Sequence, residues 1–413
     1  MNEPGFSGLL IVVAVGFGAP FLLGLFPRLR LPSVVFEIVA GIVIGPSVLG
    51  WVKVDDTISV LALMGLAMLL FLAGLEIDFD RLRGRLLRLA LLGWAISFAI
   101  AVVVAMLLKG AGLVETPLLV AIILCATSLG VIVPVLKDVG ELDSQFGQLV
   151  LAAASIADFG AVILLSFFFS GEGGPGSTAV LLGIFVVLLS VTFFVIRQAE
   201  RSMRIGEDLL RLQDSSAQIR VRAAMVLMIA FVALAEGLGL EVILGSFAAG
   251  ALLSLLDRDR RMTHANFRTK LEAIGFGLLI PVFFVTSGIR FDLQALVDKP
   301  SNLVMVPIFL AALLAVRGLP AIVYRRFLGG RRATISGVLQ ATSLPFIVAA
   351  TAIGQSLDLM DAAEASALIA AGLLSVLIFP ITGLNLLRRA MRDEGVPAPE
   401  MPPRTEPSPQ MAM

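Results

Sequence analysis

The run AAASIADFGAVILLSFFF (residues 152–169) is apolar or small at every position except Ser155 and Asp158. An ionised carboxylate near the middle of a bilayer costs about 3 kcal/mol or more, so a retained one calls for a function. Desolvation disfavours the charged form of an acid, which makes a proton one natural ligand of such a group. A dehydrated Na⁺ or K⁺ competes for the same oxygens. If only the occupied site crosses the membrane, binding one ligand or the other couples their opposite flows. Ser155 lies one helical turn before Asp158 on the same face and offers a further oxygen.

The letters ATSL occur twice, in CATSLGVIVPVL (125–136) and in QATSLPFIVAAT (340–351). Each copy is followed by Gly or Pro, and Pro134 lies further along the first. Proline removes a backbone donor, and small hydroxylated residues can bond to carbonyls freed by a break. The pattern predicts two helices unwound near the midplane, with Thr127 and Ser128 at the first break and Thr342 and Ser343 at the second. Chance alone can produce a four-letter match, but the copies sit an odd number of spans apart and would enter the membrane from opposite sides. That is the arrangement of an inverted-repeat transporter.

Asp158 is in the span just after the first copy, and Arg317, in AALLAVRGLPAIV, is in the span just before the second. An inverted repeat reverses order in this way. Half-helix ends bring partial charges of both signs to a crossing. A carboxylate and an always-charged guanidinium would balance them. The competing structural reading is a buried Asp158–Arg317 ion pair that holds helices together, although such pairs are weak stabilisers.

Positioning these residues requires a polytopic membrane protein. The chain has 413 residues, 58% hydrophobic and 15% charged, with a mean hydropathy of +0.99, more apolar side chain than a soluble domain can hide. At ~20 residues per span the sequence predicts about thirteen, over 7–26, 32–51, 58–76, 87–108, 117–136, 147–170, 178–197, 221–237, 241–256, 271–289, 303–324, 334–354 and 363–387. Only GLGL separates the eighth from the ninth. Assigning alternate loops to opposite sides puts roughly 26 of the Lys and Arg residues on one side. The other side has Lys53, Lys109, Arg290 and Lys299. That imbalance predicts an external N-terminus and a cytoplasmic C-terminus in a multi-pass protein of the inner (plasma) membrane. The first apolar stretch follows MNEPGF, without a positive leader, and reads as a retained span.

The expected organisation is a transmembrane domain over 1–390, with a core including about 58–170 and 271–387 and the remaining helices peripheral, followed by a disordered Pro-rich cytoplasmic tail over 391–413. The loop over about 198–220 reads as an amphipathic cytoplasmic helix. No loop is long enough for a nucleotide-binding regulatory domain, which is expected on a separate subunit or absent. The zero formal net charge argues against a nucleic-acid partner. One cysteine, Cys125, and one histidine, His264, are too few for a disulfide or for the usual zinc and catalytic clusters. Cys125 reads as a packing residue and His264 as a solvated loop residue. No cofactor is expected, and an intramembrane enzyme lacks paired catalytic groups.

The blocks LPSVVFEIVAGIVIGPSVLG (31–50), LLFLAGLEID (69–78), ATSLGVIVPVLKD (126–138), LGSFAAGALL (244–253) and PVFFVTSGIRFDL (281–293) occur in order. In them the chain resembles the monovalent cation:proton antiporter-2 family, which includes Kef-type potassium/proton and related sodium/proton antiporters, over roughly residues 7 to 387. The resemblance implies a dimerisation domain, a core of two inverted repeats with crossed broken helices, a homodimer and elevator-like alternation. By position, Asp158 matches the family's cation- and proton-binding carboxylate, and Arg317 matches the basic residue beside the second broken helix. Thr127 and Ser128 match the first crossing. One departure is Ala157, where relatives often carry Asp, Asn or Gln.

With one acid and a constant arginine charge, electroneutral exchange of one Na⁺ or K⁺ per proton is expected. Glu37, inside the second span, is a further acidic candidate or a backbone cap. Glu76 is another, or with Asp78 and Asp80 only marks the cytoplasmic boundary. Arg290 reads as an interfacial anchor. The alternative functions are a sodium-coupled organic-anion carrier of related fold and a channel-like or regulatory membrane subunit.

Overall fold

A computed structural model describes residues 6–25, 32–77, 84–169, 174–200, 218–256 and 265–393. The described residues are helical throughout, with no strand among them. His264, most of the loop over 198–220, and the tail from 394 onward lie outside them.

Every predicted span has a helix or helix pair over it, but the lengths differ from the expectation of about thirteen crossings. Among the described residues, 8 helices are long and apolar enough to cross a membrane, or up to 9 if the bent pair Gly330–Gln340 and Pro345–Ser356 is one span. Phe6–Leu22, Ser33–Ile44 and Val242–Leu256 are apolar but shorter. The Ser33–Ile44 helix has 12 residues because the chain turns extended at Gly45, ahead of Pro46. At ~1.5 Å per residue it covers about 18 Å, short of a ~30 Å hydrocarbon core. The uncertain GLGL boundary is a turn: Ile219–Gly237 ends there, Gly239 takes φ +69, and the next helix begins at Val242.

Two close helix pairs frame one side of the molecule. Val242–Leu256 packs on Asp56–Leu75 at reciprocal glycines. A Cβ on Gly74 would lie 2.2 Å from the Phe247 carbonyl oxygen, and one on Gly250 would lie 1.9 Å from that of Phe71. Ser33–Ile44 approaches Ile280–Ile289 in the same manner through Gly41 and Gly288. In an apolar solvent there is little hydrophobic drive between helices, so such small-residue contacts carry the packing.

The other side holds the two interrupted helices. The first runs from Pro117 to Cys125, becomes extended over 126–128, and resumes from Leu129 to Asp138. The second runs Gly330–Gln340, breaks over 341–344, and resumes as Pro345–Ser356 at a bend of 42°. Pro345 begins the new helix, where its missing N–H and fixed φ are tolerated. Gln145–Phe169, Pro300–Gly318 and the long Ala362–Asp393 helix pack around these pairs.

Candidate ion site

The two interruptions meet. The backbone N–H of Ser128 donates to the Thr342 carbonyl at 2.8 Å, and the Thr127 hydroxyl donates to the Gln340 carbonyl, also at 2.8 Å. A broken helix leaves backbone groups without intrahelical partners, and each of these contacts satisfies one of them with its counterpart across the crossing. The ATSL copies are therefore brought together as their repetition suggested.

Asp158 reaches the first interruption from the Gln145–Phe169 helix. Its Oδ1 accepts from the Thr127 N–H at 3.3 Å, and the Leu129 N–H is also directed at the carboxylate. These amides lie at the start of the Leu129–Asp138 half-helix, whose N-terminal partial positive charge favours an anion. The carboxylate is half-buried, whereas Ala157 beside it is fully buried. Ser155, 7% exposed, lies one turn before Asp158 on the same helix and makes no hydrogen bond among the described residues.

Arg317, 3% exposed near the end of Pro300–Gly318, is fully engaged. Its Nε donates to Thr127 Oγ1 at 2.8 Å, Nη1 to Ser97 Oγ at 3.2 Å and Nη2 to Gln340 Oε1 at 3.1 Å. None of these acceptors is charged, and no ion pair joins Arg317 to Asp158. Thr127 contacts both, accepting from Arg317 through its hydroxyl and donating to Asp158 through its amide. The simple ion-pair reading is thus replaced by a relay: Asp158 to the Thr127 amide, and the Thr127 hydroxyl to the guanidinium.

Thr127 is consequently busy. Its one hydroxyl hydrogen goes to Gln340 O, and it accepts from Arg317. At the second crossing the Thr342 and Ser343 hydroxyls are buried without hydrogen-bond partners. Among the described residues, neither these two hydroxyls nor that of Ser155 has a hydrogen-bond partner.

The structure does not bring the remaining acidic candidates into this cluster. Glu37, 3% exposed, bonds Ser33 on its own helix, which packs against Ile280–Ile289. Glu76 caps Asp56–Leu75 and pairs with Arg268 at 3.4 Å. Arg290 donates to Ser59 at 3.0 Å. Cys125 is buried at the end of the first half-helix.

Sequence reasoning missed Ser97, Gln340 and Ser375. Gln340 holds the arginine through Oε1 while its Nε2 donates to Ser336 at 2.7 Å. The Ser97 hydroxyl in turn donates to the Val316 carbonyl at 2.7 Å. Each is a buried polar residue, Ser97 and Ser375 in long apolar helices and Gln340 at the end of the more polar Gly330–Gln340 helix.

Residues 12–388 match the family model described as sodium/hydrogen exchanger, transmembrane. YjbQ of Bacillus subtilis is 32% identical over 409 residues, covering 95% of this chain; the chain spans 65% of that relative's length. The Na(+)/H(+)-K(+) antiporter GerN of Bacillus cereus is 33% identical over 273 residues, 64% of this chain and 67% of the relative. In fold, the chain is similar to the sodium proton antiporter MjNhaP1 of Methanocaldococcus jannaschii. The TM-score is 0.63 at 14% identity, over 93% of this chain and 98% of that one.

Proposed function

The chain belongs to the sodium/hydrogen exchanger family, whose members are membrane transporters rather than enzymes and use no cofactor, and from that premise we propose that it is a monovalent cation/proton antiporter. The observation that carries this reading is the Asp158 carboxylate, half-buried and held by amides at the interruption of a membrane helix. A proton or a dehydrated Na⁺ or K⁺ occupies that carboxylate in turn. Ser155 and main-chain oxygens at the breaks supply further ligands, while Thr127 sets the carboxylate's place. Ser128, Thr342 and Ser343 shape the crossing.

The proposed stoichiometry is one cation per proton. Ala157 leaves a single acid at this point, and Arg317 keeps its charge at all working pH values. An electroneutral cycle follows, because the charge that crosses is the same with either ligand. We further propose two inverted repeats, with a core including about 58–170 and 271–387 and peripheral helices that form a homodimer. The core moves as an elevator, with the N-terminus outside and the C-terminus in the cytoplasm. Meeting interruptions support the repeat, and the basic-loop imbalance supports the orientation.

The experiment is proton flux in proteoliposomes on adding Na⁺, K⁺ or Li⁺, with Asp158→Asn beside the native chain. Cation-driven flux in the native protein and none in the variant is expected. Equal flux in both would remove Asp158 from the coupling. Uptake of an organic anion that requires a sodium gradient, without cation-driven proton flux, would favour the carrier alternative instead.

A further inference from the structure

Two consecutive peptide groups in the second interruption are held from opposite sides. The Thr342 carbonyl accepts from Ser128 of the first interruption. The next residue, Ser343, donates its N–H to Ser375 Oγ at 3.1 Å, and Ser375 Oγ lies 2.9 Å from the Ser343 carbonyl as donor. Ser375 is on the Ala362–Asp393 helix and is fully buried. One turn earlier, a Cβ on Gly372 would lie 3.2 Å from Ser343 O and 3.1 Å from the Leu344 and Ile347 side chains, so glycine lets this helix approach the break.

We propose that Ser375 is a positioning residue for the ion site, fixing the second interruption so that Thr342 meets Ser128 and, through the adjoining Thr127 amide, sets the Asp158 carboxylate. The proposal rests on the antiport reading for its consequence and on the geometry for its mechanism. Outside the helical ladder a residue's backbone donor and acceptor both need partners, and the Ser375 hydroxyl serves both for Ser343: it accepts from the N–H of the Thr342–Ser343 peptide and donates to the carbonyl of the next peptide. The Ser375 hydrogen has a second acceptor, the Gly372 carbonyl at 2.8 Å. The hydroxyl can therefore release Ser343 O while still accepting from Ser343 N–H. The break is held in place without being locked, as a site that changes access requires. The chain of contacts leads from Ser375 through Ser343, Thr342, Ser128 and Thr127 to Asp158, and every link but the last is main chain or hydroxyl.

The test compares the native chain with Ser375→Ala, Ser375→Thr and Ser366→Ala, the last a buried serine elsewhere on the same helix. Two quantities are read: the cation KM per folded molecule, and hydrogen exchange over residues 340–346. Ser375→Ala is expected to raise the KM at least threefold and to speed exchange over the interruption. Ser366→Ala should stay within twofold of native in both, and Ser375→Thr, which keeps the hydroxyl but adds a methyl in a fully buried place, should fall between native and Ser375→Ala. A KM within twofold of native in Ser375→Ala, or exchange that rises equally in Ser366→Ala, would overturn the positioning role. Absence of cation-driven flux in the native protein would defeat the antiport reading, while the exchange comparison would still decide whether Ser375 holds the break. Should Ser375→Ala not insert, Ser375→Cys, with a weaker donor of similar size, is expected to show intermediate exchange, and native-like exchange in it would count against the proposal.

Discussion

Arg317 Nε lies 2.8 Å from Thr127 Oγ1, and the amide of that same threonine addresses Asp158. The positive and negative charges of the site are therefore coupled through one small residue, without touching. A direct pair would hold Asp158 in its ionised form and compete with any incoming cation. Separation keeps the compensating charge near and the carboxylate oxygens available.

Thr127→Val should show the worth of that relay. Valine nearly matches threonine in shape but leaves the Gln340 carbonyl and the Arg317 Nε short of a partner each. Unsatisfied buried groups cost about 1–3 kcal/mol, so a lowered melting temperature and slower exchange are expected. Thr127→Ser keeps the hydroxyl and should stay close to native. Arg317→Lys keeps the charge but cannot reproduce three directed contacts, and should lose more stability than Thr127→Ser. Thermal unfolding in detergent measures all three.

Gly74→Ala and Gly250→Ala should each destabilise the protein, because the new methyl would strike the carbonyl of Phe247 or Phe71. Overpacking of this kind costs about 1–3 kcal/mol. Gly183→Ala is the comparison: nothing lies within 4 Å of its added methyl on the Gly174–Glu200 helix. There the change should be neutral or stabilising by a few tenths of a kcal/mol up to about 1 kcal/mol. Melting temperatures should separate the first two variants from the third.

Electroneutral exchange has an electrical signature. With fixed ion gradients in proteoliposomes, imposing a membrane potential of either sign with valinomycin and K⁺ should leave the Na⁺/H⁺ reversal point unmoved. A reversal point that moves with voltage would exclude one-for-one exchange. The count of acids at the interruption, set by Ala157, is the structural basis of the expectation.

Much of this arrangement could be read from residue order alone. Apolar length located the helices, and the repeated ATSL located both interruptions, because broken membrane helices need small hydroxylated residues wherever they occur. Asp158 and Arg317 stood out because charge inside an apolar run is costly. What could not be read was partner choice. Thr127 reads as a ligand in the sequence; that its hydroxyl hydrogen goes to Gln340 O and one of its two acceptor positions to Arg317 is a fact of tertiary geometry. Ser97, Gln340 and Ser375 resemble any other polar residue in a helix until the opposing backbone is known. Glu37, like Asp158, is an acid inside an apolar run, yet it is buried and its helix packs on Ile280–Ile289. The run over 32–51 reads as one full span because the turn at Gly45, which ends the helix at Ile44, depends on backbone geometry that apolar length does not record.

The central claim is exclusive occupancy of Asp158, and proton release measures it most directly. Adding Na⁺ or K⁺ to the purified protein in weak buffer should release protons, saturating at about one per chain, since a single carboxylate exchanges one ligand for the other. Asp158→Asn should release none. Saturating release that persists in Asp158→Asn, or cation binding by the native chain with no proton released, would contradict the account.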